Sequence, residues 1–226
     1  GHAGYLMSEL RKIFEESITR ESMKWENYFE IYERHIRRFV GSNPTVLEIG
    51  VYAGGSLQMW RRYLGDDAII VGMDTDPRCA EMRSEGFDIF IGEQGNKDHL
   101  QQIIDRYGSF DIVIDDGSHK TSDLKASFEK LFPHVTENGV YLVEDIHTNY
   151  WAKHEGGYKN PGTFIEMMKS TVDHLNAFHS RDPNSFRPNF LTHTVNGLHF
   201  YDSVVVLEKR TREAPFQQVT VNTQKE

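Results

Sequence analysis

The sequence predicts a three-layer α/β fold in which helices cover both faces of a seven-stranded, mostly parallel sheet. Short apolar segments alternate with segments of helical periodicity over residues 45–145, and this alternation is typical of right-handed βαβ units. A glycine-rich turn follows the first of these strands, which is typical of a nucleotide-sized pocket at the carboxyl edge of a sheet. Two apolar segments near the C-terminus are separated by only two residues and predict an antiparallel hairpin.

The pattern of apolar residues along the chain predicts the bounds of each helix and strand. The N-terminal apolar residues recur at helical spacing and predict one or two amphipathic helices over residues 8–40. The predicted strands are 45–50, 68–74, 87–92, 110–116, 139–145, 197–201 and 204–209. The predicted helices between them are 56–63, 97–107 and 122–131.

Composition limits the classes of partner. With 226 residues and 38% hydrophobic content, the chain has room for one substantial core. A net charge of -9 argues against a nucleic-acid partner, because affinity for phosphates needs clustered lysine and arginine. The single cysteine, Cys79, excludes an intrachain disulfide and has no metal-site spacing. No apolar segment is long enough to span a bilayer and no signal peptide is evident, so we expect no membrane partner and a cytoplasmic location.

These features predict one domain over residues 8–209, with Met7 as a candidate start. Its parts are the N-terminal helices (8–40), a core (45–145), an insertion on the substrate side (146–195), the C-terminal hairpin (197–209) and a polar tail (210–226).

The glycine turn indicates the kind of ligand. Gly50 and Gly54 give G-x-x-x-G spacing, whereas a dinucleotide site needs G-x-G-x-x-G, so a pyrophosphate ligand is disfavoured. Glu48 brings a carboxylate to the turn, which suits a cationic ligand such as a sulfonium with an α-amino group. Ser56 opens the next helix. The alternative is an ordinary strand-turn-helix whose glycines serve packing.

The second and third strands end in further candidates. Asp74 lies about 20 residues after the glycine turn, where an acidic residue binds ribose hydroxyls in doubly wound nucleotide sites. The alternative for this region is helix capping through Asp76-Pro77. Gln94 follows the third strand and could reach an adenine edge, although glutamine is also common in turns.

Two pairs of acids end consecutive predicted strands. Asp115-Asp116 end the fourth strand, with His119 three residues later, and Glu144-Asp145 end the fifth. Carboxylates that converge in this way repel one another unless a cation is present. Oxygen ligands suit Mg²⁺, whereas the motifs expected of zinc are absent. The alternative is that these acids cap helices or bind water.

Three segments together carry a family resemblance: IDDGSH, VYLVEDIHTNYW and MKWENYFEIYERHIRRF. They resemble the bacterial, magnesium-dependent sugar O-methyltransferases of natural-product pathways, in particular the mycinamicin-type macrolide deoxysugar enzymes, over about residues 24–209. The resemblance implies a Rossmann-like class I methyltransferase fold that uses S-adenosylmethionine and Mg²⁺.

The resemblance also implies roles for particular residues. It places the metal on Asp116, Glu144 and Asp145, and the general base on His119. It assigns the ribose to Asp74, a position near the adenine to Asp115, and the methionine end of the cofactor to the turn that contains Glu48, Gly50, Tyr52, Gly54 and Ser56.

The expected reaction is methyl transfer to a hydroxyl of a small-molecule glycoside, with the metal chelating a vicinal diol and His119 taking the proton. The resemblance also implies a homo-oligomer, since relatives of this family commonly assemble as oligomers. Two other classes stay open: an NAD-dependent oxidoreductase, and a non-catalytic S-adenosylmethionine-binding protein. Whether Trp25, Tyr150, Trp151 and His179 line the site or serve core and dimer packing also stays open.

Overall fold

The computed structural model describes residues 8–221, which form one seven-stranded sheet with helices on both faces. The strands are β1 (Thr45–Ile49), β2 (Ile69–Asp74), β3 (Asp88–Ile91), β4 (Phe110–Asp115), β5 (Val135–Val143), β6 (Val195–Tyr201) and β7 (Val204–Lys209). Their order is β3-β2-β1-β4-β5-β7-β6. Strands β1 to β5 are parallel, and β7 is antiparallel to both β5 and β6. The predicted fold class, including the C-terminal hairpin, is confirmed.

Helices complete the two outer layers. They are α1 (Glu9–Glu16), α2 (Tyr28–Ile36), α3 (Gly55–Leu64), α4 (Lys97–Tyr107), α5 (Thr121–Leu131), α6 (Phe164–Asn176) and α7 (Phe190–Thr194). Alternate strand residues face opposite layers, as the pleat requires. Val46 packs in the core shared with α1, α2 and α3, whereas Leu47 packs in the core shared with α4, α5 and α6.

The N-terminal region differs from a continuous helical pair. Residues 17–27, here called the strap, separate α1 from α2 and cross the first turn of α3. The Glu21 carbonyl accepts a hydrogen bond from the Gly55 amide (3.3 Å), and Gln58 Oε1 accepts from the amides of Thr19 and Arg20. The strap therefore accepts from the Gly55 amide at the start of α3, donates two amides to Gln58, and reaches the carboxyl edge of the sheet.

The insertion after β5 contains short 3₁₀ helices at Ile146–Tyr150, Ala152–His154 and Ala177–His179, together with α6 and α7. Between β2 and β3 an unpredicted 3₁₀ helix covers Pro77–Glu85. None of the helices within residues 8–221 is both long and apolar enough to cross a bilayer. The candidate start at Met7 lies outside the described residues.

Candidate active site

A cavity of about 1330 Å³ lies at the carboxyl edge of the sheet, above β1, β2 and β4. It extends from the glycine turn after β1 to the loop after β4, and the strap contributes Met23 to its wall. Of the residues predicted for the site, those that line it are Gly50, Tyr52, Ser56, Asp74, Gln94, Asp116, His119 and Asp145. The structure therefore brings these residues, which are far apart in the chain, to one cavity.

Gly50 shows why this turn needs glycine. Its φ is +93°, and a Cβ there would lie 1.9 Å from the Asp116 carbonyl oxygen. A side chain at this position would force apart the loops after β1 and β4, which are the two walls of the cavity. Gly50 therefore serves the packing of the two loops and, by the same contact, shapes the cavity between them.

Glu48 is placed differently from the prediction. It lies on the same face of β1 as Val46, is fully buried, and accepts hydrogen bonds from Ser56 Oγ (2.7 Å) and Trp60 Nε1 (3.4 Å). Its other oxygen has no hydrogen-bond partner within residues 8–221. Burial raises the pKa of Glu48 to about 7. Because the side chain points under α3, it does not line the cavity, and neither does Gly54.

Asp74 lines the cavity at the end of β2. One carboxylate oxygen accepts from the backbone amides of Val51 (2.8 Å) and Tyr52 (3.1 Å), and the other accepts from Asp76 (2.9 Å). The helix-capping role belongs to Asp76, whose side chain accepts from the amide of Arg78. Asp74 therefore holds the glycine turn in place and exposes an acceptor to the cavity.

Gln94 and Asp115 form a supporting pair. Gln94 Nε2 donates to Asp115 Oδ2 (2.9 Å), and Gln94 Oε1 accepts from the amide of Ser118 (2.8 Å). Asp115 is fully buried, which raises its pKa to about 6, and it does not line the cavity. The pair fixes the loop after β4, and Gln94 is the member that faces the pocket.

Asp116, His119 and Asp145 form the cluster best arranged for a metal ion among the described residues. One ligand atom from each lies within 4.8 Å of the others. His119 Nε2 is 3.3 Å from Asp145 Oδ2 and 3.6 Å from Asp116 Oδ1. His119 and Asp145 both have positive φ, at 64° and 60°. Such backbone conformations are costly for non-glycine residues and concentrate at functional sites.

Opposing effects act on the pKa of His119. Burial lowers it, but the hydrogen bond to Asp145 and the charges of Asp145, Asp115 and Glu144 outweigh burial, so the pKa is raised. The carboxylates beside the imidazole thus favour its protonated form, and a cation bound to them would offset this effect and favour the neutral form that can accept a proton.

Glu144 lies beside this cluster and binds other residues. Lys24 Nζ is 2.6 Å from Glu144 Oε1 and 3.2 Å from Asp116 Oδ2, and the Tyr32 hydroxyl donates to Glu144 Oε2. The side chains of Lys24 and Glu144 are each 1% exposed. Burial and the charge of Asp116 raise the pKa of Glu144 to about 8, against the opposing effect of Lys24. Lys24 thus supplies a fixed positive charge to the predicted metal ligands.

Lys24 was not predicted from the sequence, because the apolar spacing before β1 indicates only a helix face. For Tyr28 the sequence allows a position over the cofactor, with core packing as the alternative. Its hydroxyl donates to Asp145 Oδ1 and lies 3.0 Å from Ser203 Oγ. The sequence left open whether four further residues line the site. Trp25, Tyr150 and Trp151 are exposed, and His179 ends a 3₁₀ helix away from the cavity wall.

Residues 47–146 match the family model described as a methyltransferase domain. The chain carries a methyltransferase domain. It is 37% identical over 194 residues to mycinamicin VI 2''-O-methyltransferase of Micromonospora griseorubida, covering 79% of this chain and 47% of that protein. It is 35% identical over 189 residues to demethylmacrocin O-methyltransferase of Streptomyces fradiae, with the same coverages. The resemblance to sugar O-methyltransferases of macrolide and polyketide pathways is confirmed.

The solved structure of the methyltransferase MycE, from the mycinamycin pathway and in complex with Mg and SAH, matches with a TM-score of 0.77 and 32% identity. The match covers 90% of this chain and 54% of that one. A second MycE structure, with a TM-score of 0.76, also contains mycinamycin VI. This chain spans about half the length of the curated relatives it matches.

Proposed function

We propose that this protein transfers a methyl group from S-adenosylmethionine to a sugar hydroxyl of a glycosylated natural product, using Mg²⁺. One observation carries the proposal. A single cavity joins the glycine turn and Asp74 at one end to Asp116, His119 and Asp145 at the other. A cofactor and an acceptor bound in this cavity would have their reacting atoms side by side.

The cofactor end fits S-adenosylmethionine. Gly50 lines the cavity and lets the loops after β1 and β4 lie in contact, Asp74 offers an acceptor to ribose hydroxyls, and Gln94 faces the same wall. The remaining predicted residues have supporting roles in this proposal. Glu48 holds Ser56 at the start of α3, and Asp115 holds Gln94.

The metal end fits a hard cation. Asp116 and Asp145 offer carboxylate oxygens at close range, and Lys24 bridges Asp116 to Glu144, so Glu144 is the adjacent candidate for a third ligand. Oxygen donors are those that Mg²⁺ prefers. When bound, the cation would lower the pKa of a chelated hydroxyl, and two adjacent hydroxyls of a vicinal diol suit such chelation.

The protein residues then have defined tasks. His119 Nε2 takes the hydroxyl proton as the oxygen attacks the methyl carbon. The new O–CH₃ bond forms as the S–CH₃ bond breaks, and the products are a methyl ether and S-adenosylhomocysteine. Holding the two partners in line accounts for much of the acceleration, because oriented reactants gain about 7 to 11 kcal/mol.

The test is to incubate the purified protein with S-adenosylmethionine, Mg²⁺ and glycosides that contain a vicinal diol, and to look for methylated product by mass spectrometry. We expect turnover to stop in excess EDTA and to return with Mg²⁺, while cofactor binding by calorimetry persists. Full turnover in chelator would contradict the metal role. Cofactor binding without methylation of any glycoside would favour the non-catalytic alternative.

Asp74→Ala should weaken binding of S-adenosylmethionine about tenfold or more, because it removes a charge-assisted hydrogen bond to ribose worth roughly 1.5 to 3 kcal/mol. Isothermal titration calorimetry measures this directly. Asp76→Ala is the matched control, since this neighbouring carboxylate binds Arg78 and caps the 3₁₀ helix. Equal dissociation constants for wild type and Asp74→Ala would disprove the ribose assignment.

A further inference from the structure

Four aromatic side chains form a continuous row that ends at the catalytic cluster. This aromatic arc consists of Trp25, His147, Trp151 and His154. Ring centroids are 5.9 Å apart for Trp25 and His147, 5.1 Å for His147 and Trp151, and 6.0 Å for Trp151 and His154. The His154 ring is in turn 6.2 Å from the ring of His119. The arc therefore leads from the molecular surface to the proposed base.

The two indoles of the arc are exposed. Trp25 is 60% exposed and Trp151 is 49% exposed, whereas Trp60 is fully buried. His147 meets both indoles nearly edge-on, at interplanar angles of 89° and 73°, so it covers at most one face of each. Open aromatic faces next to a few converging polar groups are characteristic of small-molecule sites.

The arc is also held in place by the fold. His147 lies two residues after Asp145 and its Nδ1 is hydrogen-bonded to Ser203 Oγ. The loop that carries Trp151 is closed by hydrogen bonds from the Gly156 amide to the Trp151 carbonyl (2.9 Å) and from the Gly157 amide to the Asn149 carbonyl (2.8 Å). A Cβ on Gly156 would lie 2.1 Å from that Asn149 oxygen. A site built in this way needs little ordering when a ligand binds.

We infer that the aromatic arc binds the sugar ring of the acceptor, with the apolar C–H face of the ring against Trp25 and Trp151. This inference rests on the proposed function. A sugar ring has one apolar face and a polar rim, and an indole face attracts the slightly positive hydrogens of such a face. The arc contains neither a carboxylate nor a lysine or arginine side chain, which suits an uncharged ring. The position of the arc then directs the hydroxyls of the sugar toward His119, Asp116 and Asp145.

Saturation-transfer NMR tests the inference with methyl α-L-rhamnoside, a neutral glycoside with a vicinal diol, added to protein loaded with S-adenosylhomocysteine and Mg²⁺. We expect strong saturation of the ring protons with wild-type protein. Trp25→Leu and Trp151→Leu should each weaken the sugar affinity about tenfold and raise the KM for the glycoside by the same factor. The affinity for the cofactor should stay unchanged. Tyr158→Leu is the matched control, because Tyr158 is 78% exposed in the same insertion and its ring lies against Lys159.

Several results would overturn the inference: no saturation with wild-type protein, saturation and KM unchanged in both tryptophan variants, or equal losses in Tyr158→Leu. Displacement of the glycoside by an aromatic aglycone that lacks sugar would also reject it, since the arc would then bind the aglycone. The proposed function fails by a different result, namely the absence of cofactor binding and of any methylated glycoside. Methylation with an unchanged KM in the tryptophan variants rejects the arc alone.

Discussion

His119→Ala should lower turnover by about 10² to 10⁴ while leaving the affinities for S-adenosylmethionine and Mg²⁺ nearly intact. The reason is that an alcohol is too weak an acid to react at neutral pH without a base. His119 faces the cavity with Nε2 directed at Asp116 and Asp145, so it is the residue placed to receive the proton. Single-turnover kinetics with a saturating glycoside measures the loss.

The variant separates three roles for His119. A base predicts a loss in the rate of the chemical step, whereas a metal ligand predicts weaker Mg²⁺ binding, measured by calorimetry on the same variant. A helix-capping role predicts lower stability with turnover preserved. The structure argues against capping, since α5 begins after Lys120 without a side-chain cap. His179→Ala is the control, and turnover of His119→Ala at the wild-type rate would disprove the base assignment.

The fold could be predicted from the sequence because the patterns that indicate it involve residues close together in the chain. Strands of apolar residues, the glycine turn and the two-residue hairpin each depend on neighbours in the chain. The convergence of Asp116 and Asp145 was also predictable, because β4 and β5 are adjacent parallel strands and end at the same edge.

The details of the site depended on side-chain direction and on distant contacts. Glu48 was expected at the cofactor, but the pleat of β1 directs it under α3, on the same face as Val46. Counting from Val46 with a period of two would have revealed this. Lys24 gave no comparable signal, because its role depends on the strap crossing the edge of the sheet, more than 90 residues away in sequence from Asp116.

Lys24→Met should lower the free energy of unfolding by about 3 to 5 kcal/mol when Mg²⁺ is absent, the usual cost of removing one partner from a buried ion pair. Lys24 Nζ contacts Glu144 and Asp116, and the side chain of Glu144 is 1% exposed. Without the ammonium group, Glu144 must either stay charged without a counterion or take up a proton. Urea denaturation in the presence of EDTA measures the change as a shift of the midpoint at constant slope.

A double-mutant cycle with Glu144→Gln makes the test specific to this ion pair. Lys24→Met combined with Glu144→Gln should be more stable than the sum of the two single losses predicts, because the second change removes the uncompensated charge. Added Mg²⁺ should stabilise Lys24→Met more than wild type, since the carboxylates have lost their internal cation and a bound ion stabilises the folded state. If Lys24→Met unfolded at the wild-type midpoint and gained no extra stability from Mg²⁺, Lys24 would not be the cation that balances these acids.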